Sequence, residues 1–161
     1  MKPLNGKWWM RIFVDADSCP RSVRELVLRA ARKRRIEAVF AANRRISGIE
    51  GGYAVMEVCP AGEGAADDRI VELARAGDLT VTRDIPLAGR LVERGVMVLD
   101  DRGRAYTGEN IRQWLSMRNF MVQLAGNGLG MERFAHYGKK ELKTFADSFD
   151  RMVTISLKGA L

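Results

Sequence analysis

The stretch that most constrains the fold is a short apolar run that ends in two carboxylates. Residues Met10 to Val14 are mainly β-branched or aromatic and predict a buried strand. Buried strands that alternate with helices are usually parallel and central in their sheet. Ligands of such sheets bind just beyond the carboxyl ends of the strands. Asp15 and Asp17, which follow this run, therefore stand where an α/β protein usually places its site.

These two aspartates allow two interpretations. Asp is a favoured helix N-cap, so one of them could cap the next helix while the other is solvated. Two caps are harder to explain than one, because neither Val14 nor Ala16 offers a charge to pair with. A shared functional role for the pair is therefore weighed against capping.

The rest of the chain continues the alternation of strands and helices. Pro20 suits the first turn of a helix, whose inward face carries Val23, Leu26, Val27 and Ala30. Further strands are predicted at 36–42, 53–59, 78–82 and 96–99, and further helices at 67–75, 109–125 and 139–157. This order predicts an α/β fold, a three-layer αβα sandwich around a mainly parallel sheet of about five strands. We expect one domain over residues 1–161, with 1–9 as a flexible extension and 109–161 as C-terminal helices packed on the sheet.

Two more aspartates fall at the same edge of the predicted sheet. Asp67 begins a helix on its inward face, where a carboxylate is costly unless something neutralises it; helix capping and a metal or hydrogen-bonded site explain it equally well. Asp84 follows the fourth strand and precedes a helix led by Pro86, and capping alone would explain it. However, four converging carboxylates repel one another, and hard divalent ions take oxygen ligands. Asp15, Asp17, Asp67 and Asp84 are thus candidate catalytic residues and ligands of Mg²⁺ or Mn²⁺, a site suited to phosphodiester hydrolysis.

The charge of the chain is concentrated in one segment. The formal net charge is +7, and residues 21–45 hold nine basic and two acidic side chains, an excess equal to that of the whole chain. A clustered basic surface is typical of proteins that bind polyanions, although a solvated helix face is the simpler alternative. The candidate contacts to nucleic acid in this segment are Arg21, Arg24, Arg32, Lys33, Arg35, Arg44 and Arg45.

Several other classes of protein are disfavoured. No apolar run approaches the roughly 20 residues of a membrane span, and residues 1–9 lack the apolar core of a signal peptide. Cys19 and Cys59 form no CxxC motif, and His136 is the single histidine, so the sequence disfavours a zinc site. A surface position is expected for His136. We expect a cytoplasmic protein with reduced thiols and no membrane partner.

Four stretches of the chain resemble the YaiI/YqxD family. They are Val14-Asp15-Ala16-Asp17-Ser18-Cys19-Pro20, Ala66-Asp67-Asp68-Arg69-Ile70-Val71, Gly77 to Ala88 with Thr82-Arg83-Asp84-Ile85-Pro86, and Tyr106-Thr107 through Met117-Arg118-Asn119-Phe120-Met121. The resemblance runs from about Met10 to the last helix. The family is described as PIN-like in fold, and PIN domains are typically metal-dependent ribonucleases with acids at the carboxyl edge of the sheet.

The resemblance therefore implies an αβα sandwich, a metal held by Asp15, Asp17, Asp67 and Asp84, and RNA rather than DNA as the partner. The sequence departs from the family at two positions. Arg83 stands where a small residue is common, and Asp68 where an amide is common. An arginine at position 83 can contact phosphate, which makes it a further candidate for nucleic-acid binding, or can pair with a carboxylate and weaken metal binding.

Two other functions remain open. A D-x-D motif after a strand also occurs in haloacid-dehalogenase-type phosphatases, in which Asp15 would be the nucleophile and Asp17 the acid. Those enzymes normally carry a threonine or valine where Cys19 stands and a later lysine, and residues 61–90 contain no lysine. The second alternative is a basic RNA-binding module without catalysis, whose binding would depend steeply on salt and not on metal.

Overall fold

The computed structural model describes residues 10–127 and 136–159, which form a six-stranded sheet with helices on both faces. The strands are β1 (Ile12–Asp15), β2 (Ala38–Ala42), β3 (Ala54–Val58), β4 (Leu79–Val81), β5 (Met97–Leu99) and β6 (Ala105–Tyr106). The helices are α1 (Arg21–Arg34), α2 (Ala65–Leu73), α3 (Ile85–Glu93), α4 (Ile111–Gly126) and α5 (Lys139–Gly159). The extension predicted at 1–9 lies outside the described residues.

The sheet confirms the prediction of a mainly parallel α/β fold. Its order is β3-β2-β1-β4-β5-β6, so the strand of the first apolar run lies in the interior, between β2 and β4. Only β6 is antiparallel, and it pairs with β5 through Val98 and Leu99. This sixth strand was not predicted, because its two residues after a four-residue turn are too few to show a strand pattern.

The two faces of the sheet carry separate cores. On one face, α1 and α5 pack against Ile12, Val14 and Phe40, and the rings of Phe145 and Phe149 stack with centroids 5.3 Å apart. On the other face, α2, α3 and the start of α4 cover Phe13, Val39 and Val98. The sheet and its two helical layers therefore form a three-layer sandwich. The carboxyl edge of the sheet is left open for a site.

Helix α4 is packed only near its N-terminus. Ile111 is buried and Trp114 and Leu115 are partly buried, whereas the distal apolar side chains are about half exposed: Met117, Phe120, Met121 and Val122. The periodic pattern thus predicted the helix but not which residues face the protein. In the described part of the chain no helix combines the length and apolar character needed to cross a membrane.

The middle of β4 contains a buried hydroxyl group, at Thr80, that has no hydrogen-bond partner among the described residues. Thr82, two residues later, is fully bonded, because its Oγ1 donates to Asp15 Oδ2 and accepts from the N–H of Asp84. An unpaired buried polar group costs about 1–3 kcal/mol. We therefore expect Thr80→Val to raise the free energy of unfolding by about 1 kcal/mol or more, and Thr82→Val to lower it.

Urea unfolding of the parent and the two variants measures both changes. The pair is matched, since each variant replaces one threonine of the same chain segment by the isosteric valine. A Thr80→Val protein less stable than the parent would show that this hydroxyl is satisfied in solution.

Candidate active site

A cavity of about 340 Å³ opens at the carboxyl edge of the sheet. Its lining includes all four aspartates singled out in the sequence, Asp15, Asp17, Asp67 and Asp84. Asn43, Arg83 and two glycines of the segment before α2 line it as well. Each reaches the cavity from a different element, because the ends of β1 and β4 and the starts of α2 and α3 meet at this edge. The topology therefore brings residues far apart in sequence into one wall.

Asp15 is the last residue of β1 and is buried. Its Oδ2 accepts hydrogen bonds from Thr82 Oγ1 at 2.9 Å and from Ser18 Oγ at 3.4 Å. Burial raises the pKa of this carboxyl, and the charges of Asp84 and Asp17 raise it further, against the lowering effect of the Thr82 hydrogen bond. Although Asp15 precedes a 3-10 helix, its side chain makes no capping bond, so capping does not explain it.

Asp17 lies on that one-turn 3-10 helix, Ala16–Ser18, and is exposed. Its Oδ2 accepts a hydrogen bond from the backbone N–H of Asn43 at 2.8 Å, directly after β2. Within residues 10–127 and 136–159, Oδ1 has no hydrogen-bond partner, so it is available to a ligand. The carboxylate thus joins the ends of β1 and β2 and still borders the cavity.

Asp67 lies in the first turn of α2 and is half buried. It is not the cap, since Gly64 holds that position and no side chain caps this helix. The pKa of Asp67 is raised to about 6, first by burial, then by the charges of Asp15 and Asp84 and a hydrogen bond with Asp84, while Arg90 lowers it. The carboxyl groups of Asp67 and Asp84 are therefore direct neighbours in the wall of the cavity.

Asp84 does cap a helix, as the simpler interpretation predicted. Its Oδ1 accepts from the N–H of Leu87 at 3.0 Å, at the start of α3. The cap uses one oxygen, so the other remains on the side of Asp67. Its own N–H donates to Thr82 Oγ1, which places this threonine between Asp84 and Asp15.

The oxygen donors of this cavity fit a hard cation, although they do not form a closed cage. Among the described residues no three His, Cys, Asp or Glu side chains are placed to hold one ion together. Mg²⁺, however, commonly uses one or two protein carboxylates and keeps several waters. Asp15, which accepts a hydrogen bond from Thr82, and Asp84, whose Oδ1 accepts one from Leu87, could hold it, and a cation would offset the burial and the neighbouring charges that raise the pKa of Asp67.

The candidate nucleic-acid contacts fall into separate groups. Arg83 lines the cavity, and Arg44 and Arg45 are exposed directly after Asn43. Arg21 and Arg24 belong to the first turn of α1, where Arg21 pairs with Glu25 and Arg24 donates to the carbonyl oxygen of Cys19. The remaining three residues end α1, at the opposite edge of the sheet and about 20 Å away along the helix: Arg32, Lys33 and Arg35.

The sequence analysis missed three residues of this region. Thr82 bonds to the carboxylate of Asp15 and to the backbone N–H of Asp84, the backbone N–H of Asn43 fixes Asp17, and Asp101 pairs with Arg83. Thr82 could have been found from strand alternation, because it lies on the same face of β4 as Thr80 and at the strand end. Asp101 could not have been found in this way, because no local pattern distinguishes it from Asp100.

Comparison with known proteins identifies the family of the chain. The model of the family described as Uncharacterized BCR, YaiI/YqxD family matches residues 13–155. The chain belongs to the YaiI/YqxD family. The match extends from β1 into α5, so all four aspartates of the cavity lie inside the region shared with the family.

Relatives in several bacteria resemble the chain over most of its length. A UPF0178 protein of Treponema pallidum is 48% identical over 142 residues, which cover 88% of this chain and 80% of that relative. UPF0178 proteins of Treponema denticola and Syntrophobacter fumaroxidans are 44% and 45% identical over 149 residues, 92% of this chain and 95% and 97% of theirs. No solved structure matches the chain at a significant level.

Proposed function

We propose that this YaiI/YqxD protein is a metal-dependent nuclease that hydrolyses phosphodiester bonds, with RNA as its substrate. The observation that carries the proposal is the convergence of four aspartates on one cavity, where burial, followed by the charges of Asp15 and Asp84, raises the pKa of Asp67 to about 6. The resemblance to PIN domains favours RNA. Bound Mg²⁺ or Mn²⁺ would supply a Lewis acid that activates water and stabilises the leaving oxygen.

Each aspartate has a distinct part in this proposal. Asp15 and Asp84 would hold the cation; a hydrogen bond from Thr82 keeps the Asp15 carboxylate in place, and one from the N–H of Leu87 keeps that of Asp84. Asp67, with a pKa of about 6, is ionised at neutral pH. Because this pKa lies near neutral pH, the carboxylate is basic enough to accept a proton from the attacking water. The water oxygen then bonds to phosphorus, the P–O ester bond breaks, and the leaving oxygen takes a proton from solvent. Asp17 borders the cavity as a further oxygen donor.

The direct test is cleavage of a labelled single-stranded RNA by the purified chain with Mg²⁺ or Mn²⁺. We expect products that depend on the metal and disappear with chelator. Hydrolysis of a phosphate monoester, with an aspartyl-phosphate mimic trapped on Asp15 by fluoride, would instead support the phosphatase. Binding that is steeply salt-dependent, unchanged by chelator and never followed by cleavage would support the module without catalysis.

The basic residues beside the cavity should dominate RNA binding. We expect Arg44→Ser with Arg45→Ser to weaken binding uniformly over different RNA sequences and to reduce the slope of log affinity against log salt by about 1–2, since each lost phosphate contact removes about 0.7–0.9. Arg32→Ser with Lys33→Ser is the matched control, with the same charge loss at the opposite edge. Fluorescence anisotropy at several salt concentrations measures both. Equal losses for the two pairs would show that α1 also binds RNA, as its charge predicts.

A further inference from the structure

One arginine lies in the wall of the acidic cavity. Arg83 is the one basic side chain among the described residues that line it, and it directly precedes Asp84 in the chain. An arginine in such surroundings would be expected to pair with the nearest cavity carboxylate. Instead, its Nε donates to Oδ2 of Asp101 at 3.0 Å, and its Nη2 bonds to the same oxygen. The guanidinium group is thus held from outside the cavity.

The contacts of Asp101 fix the position of the Arg83 guanidinium group. Its side chain is only 6% exposed, so its carboxylate needs a partner, and Arg83 supplies one. Its backbone carbonyl oxygen accepts a hydrogen bond from the hydroxyl of Tyr137 at 2.6 Å, which ties the turn after β5 to the segment before α5. The Arg83 side chain is 52% exposed, and in the described part of the chain its Nη1 makes no hydrogen bond. One end of the guanidinium is therefore anchored and the other is free for a ligand.

We propose that Asp101 is a positioning residue that keeps Arg83 off the metal-holding carboxylates and presents it to a non-bridging oxygen of the substrate phosphate. The proposal rests on the proposed nuclease function and extends it to how a polyanion enters an acidic cavity. A guanidinium binds phosphate strongly through fixed N–H donors. Without Asp101, Arg83 would be left with the carboxylates that line the same cavity, among them Asp15 and Asp84, and pairing with them would exclude the cation.

Three variants test this arrangement: Arg83→Met, Asp101→Asn and the two combined. Two measurements are made on each, the Kd for Mn²⁺ from thermal shift without RNA and the KM and kcat for a labelled RNA. For Arg83→Met we expect unchanged or tighter Mn²⁺ binding and a KM raised about tenfold or more, the cost of a lost charge-assisted hydrogen bond. For Asp101→Asn we expect Mn²⁺ binding weakened about tenfold, because Arg83 is released toward the carboxylates. The combined variant should regain Mn²⁺ binding and keep the raised KM.

Arg104→Met is the matched control. Arg104 is also about half exposed and pairs with a buried aspartate of the same turn, Asp100, but it does not line the cavity. We expect it to leave KM and Mn²⁺ binding as in the parent. If Asp101→Asn does not fold, Arg83→Lys tests the phosphate contact. Because lysine keeps the charge, its KM should lie between those of the parent and of Arg83→Met.

The outcomes separate the two proposals. A parent that neither binds Mn²⁺ nor cleaves RNA overturns the nuclease and this inference together. An active parent whose KM is the same in Arg83→Met overturns the inference alone. Loss of Mn²⁺ binding in Asp101→Asn that the combined variant does not restore overturns the positioning role, because it would mean that Asp101 acts only through the stability of the turn.

Discussion

Asp15→Asn is expected to abolish metal-dependent RNA cleavage and to leave the metal-free protein at least as stable as the parent. Asparagine keeps the shape and an oxygen that can accept the Thr82 hydrogen bond, and it removes only the charge. That charge is costly in the metal-free protein, because burial and the carboxylates of Asp84 and Asp17 raise the pKa of Asp15. Loss of a charge placed to hold the catalytic ion should lower kcat by about 100-fold or more.

The melting temperature separates this result from a structural role. Mn²⁺ should raise the melting temperature of the parent by mass action and leave that of Asp15→Asn unchanged. Asp68→Asn is the matched control, since it removes one aspartate charge from the same edge at an exposed side chain that pairs with Arg90 and does not line the cavity. It should bind Mn²⁺ and cleave RNA as the parent does. An Asp15→Asn protein that melts lower than the parent, where Mn²⁺ never shifts the parent, would leave the aspartates with structural roles only.

The capping alternative shows how far the sequence could decide the site. Asp84 is a cap, because it precedes a helix led by Pro86 and its carboxylate reaches the N–H of Leu87. Asp15 stands at the N-cap of the 3-10 helix but makes no side-chain capping bond, and Asp67 lies inside α2, whose N-cap is Gly64. Whether an aspartate caps depends on the backbone angle at which the chain enters the helix, and the pattern of apolar residues does not encode it. Convergence could be predicted, since it follows from parallel strands that all end at one edge.

The basic residues illustrate the opposite case. The high charge density of residues 21–45 predicted one group of basic residues. However, a helix that connects two parallel strands has its last turn at the opposite edge of the sheet from its first. Arg32 and Lys33 therefore lie away from the cavity, while Arg44 and Arg45, after the next strand, return to it. The long-range pair of Arg83 and Asp101 could not be predicted, because it joins two turns that meet only once β4 and β5 are paired.

Binding of Mn²⁺ should depend on pH through Asp67. Its pKa of about 6 lies above its ordinary value of 3.8 because of burial and the charges of Asp15 and Asp84, and protonation removes a negative charge that would attract the cation to this cavity. We expect the Kd for Mn²⁺ to be nearly constant above pH 7 and to rise about tenfold for each unit of pH below 6. Isothermal titration from pH 5 to 8 measures this dependence. Asp67→Asn should remove most of it, whereas Asp68→Asn should retain it.

The same carboxyl makes a signed contribution to the stability of the metal-free protein. A folded pKa above the unfolded value means that the stabilising contribution is complete below pH 3.8 and is lost as the pH rises through about 6. After allowance for the partial exposure of Asp67, the loss should be on the order of 1 kcal/mol.

Burial also raises the pKa of Asp78 and Asp100, so the measured quantity is the difference in unfolding free energy between the parent and Asp67→Asn at pH 4 and pH 7. The variant should gain on the parent toward pH 7, and saturating Mn²⁺ should reduce that gain, because a bound cation offsets the repulsion at this carboxyl, which only the parent carries. A difference that stays constant with pH would show that the Asp67 carboxyl is not held against its neighbours.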